Sequence, residues 1–232
     1  MNTTLYDEAL KNVKGLTWLP WVGREFAEQQ RRLLVVGESH YAQGNTEEEF
    51  KEDVRCQQHP DFTRNLVRET EIENLYPITL LQNFWKAFFS HTPTDSAHYN
   101  KVAFYNFIQR PMDYRAATKD AGKAVPVAED FKNGWQVFPE VVRLLKPTDI
   151  IVLSLTAGKG FGNLKITPGV SDFKYEYASK IQEVLPLTGS FTMDGHPVQV
   201  TFIKHCSSYF SPAAWHEFLF NRHPAVMSQL SR

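Results

Sequence analysis

Residues 33–41, LLVVGESHY, decide the fold. Four consecutive aliphatic residues are typical of a strand that is buried on both faces, as at the centre of a parallel sheet. Gly37 ends the run, and Glu38, Ser39 and His40 follow at once. Because the carboxyl ends of strands face the ligand crevice of an open α/β sheet, these side chains indicate a functional site. The alternative is an ordinary strand-to-loop turn with exposed polar residues.

At 232 residues the chain is long enough for one large globular domain or at most two small ones, and we expect a single domain over residues 1–232. The chain is 42% hydrophobic and 22% charged, and its formal net charge of -1 gives no overall attraction for nucleic acid. Two cysteines are too few for an iron–sulfur cluster or a Cys-rich zinc site, and we expect no metal or other cofactor. The sequence contains no apolar run of membrane-spanning length and no signal-peptide segment at its start, so we expect a cytoplasmic protein without membrane contact.

Further aliphatic and aromatic runs predict the rest of the sheet. Strands are predicted at Val102–Ile108 and Asp149–Leu155, and a last strand at Val198–Lys204 follows a hairpin-like turn at Asp194-Gly195. A helix with apolar residues at helical spacing over Phe131–Leu145 precedes the second of these strands. Helix, short turn and apolar strand in this order are typical of a parallel αβ unit.

The segments between the predicted strands are expected to form loops and helices. Residues 42–61 are polar and acidic without a clean period, and we expect a long loop with a helical turn. Ala157–Gly162 is predicted as a flexible turn. Helices are predicted from Asp61 to Thr70, over Leu81–Phe89 and from Asp172 to Leu185.

Three predicted strands end in polar residues. If these strands are parallel neighbours, a carboxylate (Glu38), a carboxamide (Asn106) and an imidazole (His205) share one edge of the sheet. The carboxylate can orient or deprotonate water, the amide can bind a planar donor–acceptor edge, and the imidazole can stabilise a developing anion. Each residue alone is more often a structural one, so the prediction of a site depends on their joint placement.

At these residues the chain resembles the uracil-DNA glycosylase superfamily. That superfamily opens with an apolar strand that leads into a glycine motif, GQDPY in one branch and GEAPG in another; here residues 37–41 are GESHY. A strand with an asparagine follows, matched by Asn106 in FYNFIQRP, and the closing HPSP- or HPSA-like motif is matched by HCSS at residues 205–208. VVRLLKPTDIIVLSL is similar to the family's LLKP-then-aliphatic pattern, and the similarity covers residues 33–220.

The resemblance implies a three-layer α/β/α fold with a four-stranded parallel sheet. It also implies DNA as partner, and an enzyme that extracts uracil or a related modified base and hydrolyses its N-glycosidic bond. Glu38 would help water attack the sugar carbon, Asn106 would bind the amide edge of the base, and His205 would stabilise the departing base anion. We expect this enzyme to act as a monomer.

The resemblance assigns further residues to the substrate. Those around the base are Gly37, Ser39, His40, Tyr41 and an aromatic ring, Phe62 or Phe50, that stacks on it. Tyr41 would crowd the 5-position and favour uracil over thymine. Those at the DNA strand are Ser207 and Ser208, with Tyr209 or Phe210 wedged into the duplex. The chain departs from the family at Ser39, His40 and Cys206, which replace Ala or Asp, Pro, and the motif proline.

Other functions remain open. The chain could be a non-catalytic protein of the same fold that binds nucleic acid or a nucleotide. Residues 38–40 could form a metal site with His205, or Ser39 could be an acyl-transfer nucleophile with His205 as its base. For DNA we expect salt-dependent binding through Ser207, Ser208 and the basic segment Lys101–Lys123, although a solvated loop of mixed charge would look the same.

Overall fold

A seven-stranded mixed sheet is the framework of the computed structural model, which describes residues 2–113, 126–207 and 209–231. In spatial order its strands are β1 (Trp21–Val22), β4 (Val102–Asn106), β2 (Leu33–Gly37), β6 (Asp149–Val152), β9 (His196–Phe202), β8 (Leu187–Met193) and β7 (Val170–Tyr177). A separate short ladder joins β3 (Tyr41–Ala42) to β5 (Met112–Asp113).

The sheet differs from the expected four-stranded parallel one. Its central strands β4, β2, β6 and β9 run parallel, but β1 pairs antiparallel with β4, and β8 and β7 extend the sheet antiparallel beyond β9. The predicted α/β class is correct, whereas the predicted sheet is wrong. The extension begins at the hairpin between β8 and β9, where Asp194 and Gly195 have φ of 47° and 81°. Two positive φ values are what an Asp-Gly hairpin turn requires, so that predicted hairpin is confirmed.

Helices cover both faces of the sheet. They are α1 (Asp7–Leu10), α2 (Glu47–Gln57), α3 (Phe62–Val67), α4 (Thr79–Phe89), α5 (Ala128–Leu145), α6 (Leu155–Gly158), α7 (Pro212–Arg222) and α8 (Pro224–Leu230). In β2, Val36 packs with α5 on one face, and Val35 packs with α4, α7 and α8 on the other. Burial on both faces explains why the strand is continuously aliphatic. No helix of the described residues is long and apolar enough to cross a membrane.

The acidic segment predicted as a loop is the helix α2. Thr46 Oγ1 accepts a hydrogen bond from the Glu49 N–H at 3.2 Å, and Glu49 Oε2 accepts one from the Thr46 N–H at 3.3 Å. This capping box satisfies two backbone donors at the helix start. Only Gln57 of α2 is buried, so the helix has no apolar period for sequence analysis to detect.

The helix predicted from Asp172 to Leu185 is also wrong, because residues 170–177 form the edge strand β7. Its aromatic and charged residues alternate, which is the period of a strand. The Ala157–Gly162 segment is more ordered than expected, since α6 is followed by a 3₁₀ helix at Phe161–Ile166.

A buried ionic network fastens the last two helices to the start of β6. The carboxylate of Asp149 is fully buried and accepts hydrogen bonds from Arg31 Nε and Nη2 at 2.9 and 3.0 Å. His223 lies between α7 and α8, with Nδ1 2.9 Å from Asp149 and Nε2 2.9 Å from Thr201 Oγ1. Burial alone would raise the pKa of Asp149, but hydrogen bonds to His223 and Arg31 lower it below its usual value.

Candidate functional site

The site is built where the carboxyl ends of three parallel strands meet. Gly37 at the end of β2 is in register with Asn106 at the end of β4. Past the strands, the Ile108 N–H donates to the Glu38 carbonyl at 2.9 Å, and on the other side the Leu153 N–H donates to the Val36 carbonyl at 2.8 Å. These hydrogen bonds place Glu38 between the polar ends of β4 and β6.

The carboxamide of Asn106 packs directly over Gly37. A Cβ atom at residue 37 would overlap Asn106 Oδ1, so only glycine permits this approach. Asn106 is 3% exposed, yet within the described part of the chain its side-chain oxygen and nitrogen have no hydrogen-bond partner. The described polar side-chain atoms that are fully buried without a partner are Gln57 Oε1, His98 Nε2 and Tyr105 Oη, so the amide atoms of Asn106 are not sealed from the cavity that this residue lines. Its polar atoms are therefore available to a ligand.

Ser154 orients the carboxylate of Glu38. Ser154 Oγ donates to Glu38 Oε2 at 2.6 Å and accepts from the Ala157 N–H at 3.2 Å, so one hydroxyl both caps α6 and binds the acid. Ser154 was not among the predicted site residues. Ser154 follows the aliphatic run of β6, at the same sheet edge as Glu38. That position in the sequence could have identified it as a site residue.

His205 is a neutral imidazole at the same edge. Its Nδ1 lies 2.8 Å from Ser207 Oγ. Burial lowers the pKa of His205, and the nearby Glu38 carboxylate offsets only part of this effect. Burial and the same carboxylate raise the pKa of Tyr41. The charge of Glu38 thus acts on both His205 and Tyr41, which places the three side chains in one electrostatic environment.

His40 is mainly a structural residue. Its Nε2 lies 2.8 Å from Thr63 Oγ1, and its ring packs edge-on against Trp18 and Phe62 with centroid distances of 4.6 and 4.8 Å. Burial lowers the pKa of His40 to about 3, so the ring is neutral near pH 7. The residue positions Phe62 and the start of α3, and it forms part of the cavity wall described below.

Ser39 ties the loop after β2 to the segment after β4. Its hydroxyl donates to the Arg110 carbonyl at 2.8 Å, while His205 Nδ1 is next to Ser207. Ser39 and His205 therefore do not form the nucleophile–base pair considered from the sequence. Among the described residues, no three His, Cys, Asp or Glu side chains come together as a metal site.

A cavity of about 490 Å³ opens beside these strand ends. Asn106, His205, Tyr41 and Ser39 are on its wall, together with Phe62 and Phe104. Residues that sequence analysis did not assign complete the lining: Gln43, Gln57, Leu66, Tyr76, Pro77, Ile78, Leu80 and Leu81. Of the two candidate stacking rings, Phe62 lines the cavity and Phe50 does not. Glu38 does not line the cavity either, although its charge reaches His205. A second groove of about 560 Å³ crosses β7–β9 and contains none of the predicted site residues.

A scan against protein-family models finds no match for this chain, and a search of curated proteins finds none either. Function is therefore inferred from the site.

The loop after His205 presents one exposed aromatic ring. Tyr209 is 91% exposed and has a φ of 61°, in the left-handed region that a tyrosine rarely adopts. Its carbonyl accepts hydrogen bonds from Lys204 Nζ at 2.8 Å and Gln182 Nε2 at 3.1 Å, which stabilise that conformation. Phe210 is buried and stacks on Trp215, so of the two predicted rings Tyr209 is the one exposed to solvent. Ser208 lies outside the described residues.

The basic face expected at Lys101–Lys123 is not formed by the described residues. Lys101 precedes β4, at the opposite end of that strand from Asn106. The Arg110 guanidinium binds Asp130 through two hydrogen bonds of 2.5 and 2.6 Å. The remaining basic residues of the segment, Arg115, Lys119 and Lys123, lie outside the described residues.

Buried neutral histidines predict that acid destabilises the protein. An unfolded histidine binds a proton near pH 6.5, whereas folded His40 does so only near pH 3 and His98 near pH 4. Between these limits the unfolded state binds more protons. The free energy of unfolding should therefore fall with decreasing pH, by about 1.4 kcal/mol per pH unit for each such histidine. Urea denaturation from pH 7 to pH 4.5 measures this slope.

The variant His40→Gln should show a shallower slope. His91→Gln, which replaces an exposed histidine, is the control and should keep the wild-type slope. Equal slopes for wild type and His40→Gln would contradict a buried neutral His40.

Proposed function

We propose that this protein is a DNA glycosylase-like enzyme that binds uracil or a related base, extracted from DNA, and hydrolyses its N-glycosidic bond. The observation that carries the proposal is the unpaired carboxamide of Asn106 on the wall of a cavity shared with His205 and Phe62. A carboxamide offers one acceptor and two donors in a plane, which complements the amide edge of a pyrimidine. The Phe62 ring supplies a surface on which a planar base can stack.

The residues around this carboxamide fit the chemistry of hydrolysis. As the bond between C1′ and the base nitrogen breaks, its electron pair stays on the base. If Ser207 donates to Nδ1 of neutral His205, Nε2 carries the proton and can donate a hydrogen bond to the oxygen of the departing base. Water then attacks C1′, and Glu38 accepts its proton in an orientation set by Ser154.

The fold and the DNA contact belong to the same proposal. The three motifs lie on β2, on β4 and directly after β9, all among the parallel central strands, and this order supports a uracil-DNA glycosylase-like arrangement. The exposed ring of Tyr209, on a backbone whose carbonyl accepts two hydrogen bonds, is open to contact an extended or duplex strand. We assign the activity to the cytoplasm.

The test is excision from labelled oligonucleotides that each contain one modified base, scored as abasic product after alkaline cleavage. Uracil should be excised, and Asn106→Ala should lower kcat/KM about 10- to 100-fold because one recognition group is lost. Asn163→Ala, which truncates an exposed asparagine away from the cavity, should leave the rate unchanged. The absence of both abasic product and binding with every base would contradict the proposal.

A second candidate is a base-binding protein without catalysis. One observation favours it: Glu38 is bound by Ser154 and does not line the cavity. In that case the same oligonucleotides should bind, Asn106→Ala should weaken the binding, and no abasic product should form.

A further inference from the structure

The strand β7 leaves one edge of the sheet unpaired. It contacts β8 on one side, and on the other side its backbone groups from residue 173 to 177 have no partner among the described residues. The Ala178 N–H donates to the Pro186 carbonyl of the β8 side at 2.9 Å. Since amides alternate along a strand, those of Glu176 and Lys174 also face β8, and those of residues 173, 175 and 177 face outward.

The side chains of this edge form two distinct rows. Phe173, Tyr175 and Tyr177 lie on one face, where Tyr175 and Tyr177 are 53% and 60% exposed. Lys174 and Glu176 lie on the other. Long exposed edges with apolar rows are prone to pair with another strand, and most proteins protect them. On the N-terminal side, the irregularity between Ser171 and Lys174 limits regular pairing to residues 173–177.

We propose that β7 pairs antiparallel with β7 of a second copy of this chain, around a two-fold axis at Tyr175, so that one sheet continues through both copies. In this register Lys174 is opposite the partner's Glu176, and symmetry gives the same pair twice. Phe173 is opposite the partner's Tyr177. The outward amide of Tyr175 donates to the carbonyl of the partner's Tyr175, and the reverse bond forms by symmetry.

Charge selects this register over its neighbours. An axis at Lys174 would place two lysines opposite each other, and Asp172 opposite the partner's Glu176. An axis at Glu176 would place two glutamates opposite each other. An axis at Phe173 would also pair opposite charges, Lys174 with the partner's Asp172, but that pair lies in the irregular segment between Ser171 and Lys174. Within residues 173–177, the axis at Tyr175 pairs opposite charges and uses the outward-facing amides. Glu176 already binds Arg222 of its own chain, with Arg222 Nη1 3.0 Å from Glu176 Oε1. The same carboxylate can also accept the partner's Lys174 as a second cation. This dimer replaces the monomer expected from the sequence.

Sedimentation velocity of the full chain over a range of concentrations tests the proposal. Wild type should show a concentration-dependent dimer. Lys174→Glu places like charges opposite each other twice and should raise the dissociation constant roughly tenfold. The double variant Lys174→Glu with Glu176→Lys exchanges the charges and should restore association to near the wild-type constant.

A backbone variant provides an independent readout. Tyr175→Pro removes an outward-facing amide and leaves the β8 ladder intact, so it should abolish the dimer, whereas Tyr175→Thr keeps the amide and should retain it. Circular dichroism checks that each variant is folded, and the charge exchange decides the question if Tyr175→Pro does not fold. A wild type that is monomeric at all concentrations, or a dimer unaffected by Lys174→Glu, would overturn the proposal.

Discussion

Glu38→Gln is expected to lower the rate of base excision by about 10²- to 10⁴-fold, the usual contribution of a general base. Glutamine has the shape of glutamate, and its side-chain oxygen can still accept the 2.6 Å hydrogen bond from Ser154. It cannot take a proton from water. The loss should therefore appear in kcat, while binding of the oligonucleotide and the free energy of unfolding stay close to the wild-type values. Single-turnover excision of uracil measures the rate directly.

Two further variants separate the role of the acid from its support. Ser154→Ala leaves the carboxylate in place but removes the hydroxyl that orients it, and we expect a smaller loss than for Glu38→Gln. Glu217→Gln, which changes an exposed carboxylate on α7, should have no effect. Excision by Glu38→Gln within twofold of wild type would show that Glu38 is not the base.

Asp149→Asn is expected to lower the free energy of unfolding by about 1.5–3 kcal/mol at pH 7, because the buried carboxylate loses its charge-assisted hydrogen bonds with Arg31 and His223. Arg31 and His223 would then face a neutral amide at a fully buried position. Folding lowers the pKa of Asp149, so its stabilisation is complete above the unfolded value of about 4 and is lost as the pH falls through the folded value. Urea denaturation should show a difference between the two proteins that is full at pH 7 and shrinks below about pH 4.

The exposed ion pair of Arg143 and Asp194 provides the matched control. Its atoms are 2.6 Å apart, yet the Asp194 side chain is 48% exposed. The same replacement, Asp194→Asn, should therefore change stability by at most about 1 kcal/mol. An equal loss of unfolding free energy in Asp149→Asn and Asp194→Asn would show that burial does not strengthen the contribution of Asp149 to stability.

The buried parts of the fold could be predicted because their sequence patterns follow from burial. The aliphatic runs of β2 and β6 are covered on both faces, and α4 and α5 carry apolar residues at helical spacing. The peripheral elements were predicted wrongly because they are exposed and carry no burial pattern. The exposed helix α2 has no apolar face, although its capping box at Thr46 and Glu49 was readable. Phe173, Lys174 and Tyr175 alternate with the period of a strand, yet this segment was predicted as a helix. Of the antiparallel extension, only the hairpin at Asp194-Gly195 was expected.

The site was predicted as a set of strand ends, and its finer geometry depends on tertiary contacts. The structure brings Asn106 and His205 to one cavity, with Glu38 close enough to affect the pKa of His205. Sequence position could not show that His40 packs between Trp18 and Phe62, or that Phe210 is buried on Trp215. Nor could it supply the apolar wall between Leu66 and Leu81, because those residues meet the strand ends only after α3 and α4 have packed.

The network around Asp149 has a consequence for biosynthesis. A central strand of the sheet begins with a carboxylate whose partner, His223, is synthesised 74 residues later. Gln229 accepts a hydrogen bond from the Arg31 N–H and donates one to the Arg31 carbonyl. A nascent chain still shorter than this would bury the Asp149 carboxylate with Arg31 but without its His223 partner, so we expect the native sheet to reach full stability only after residue 223 has emerged from the ribosome.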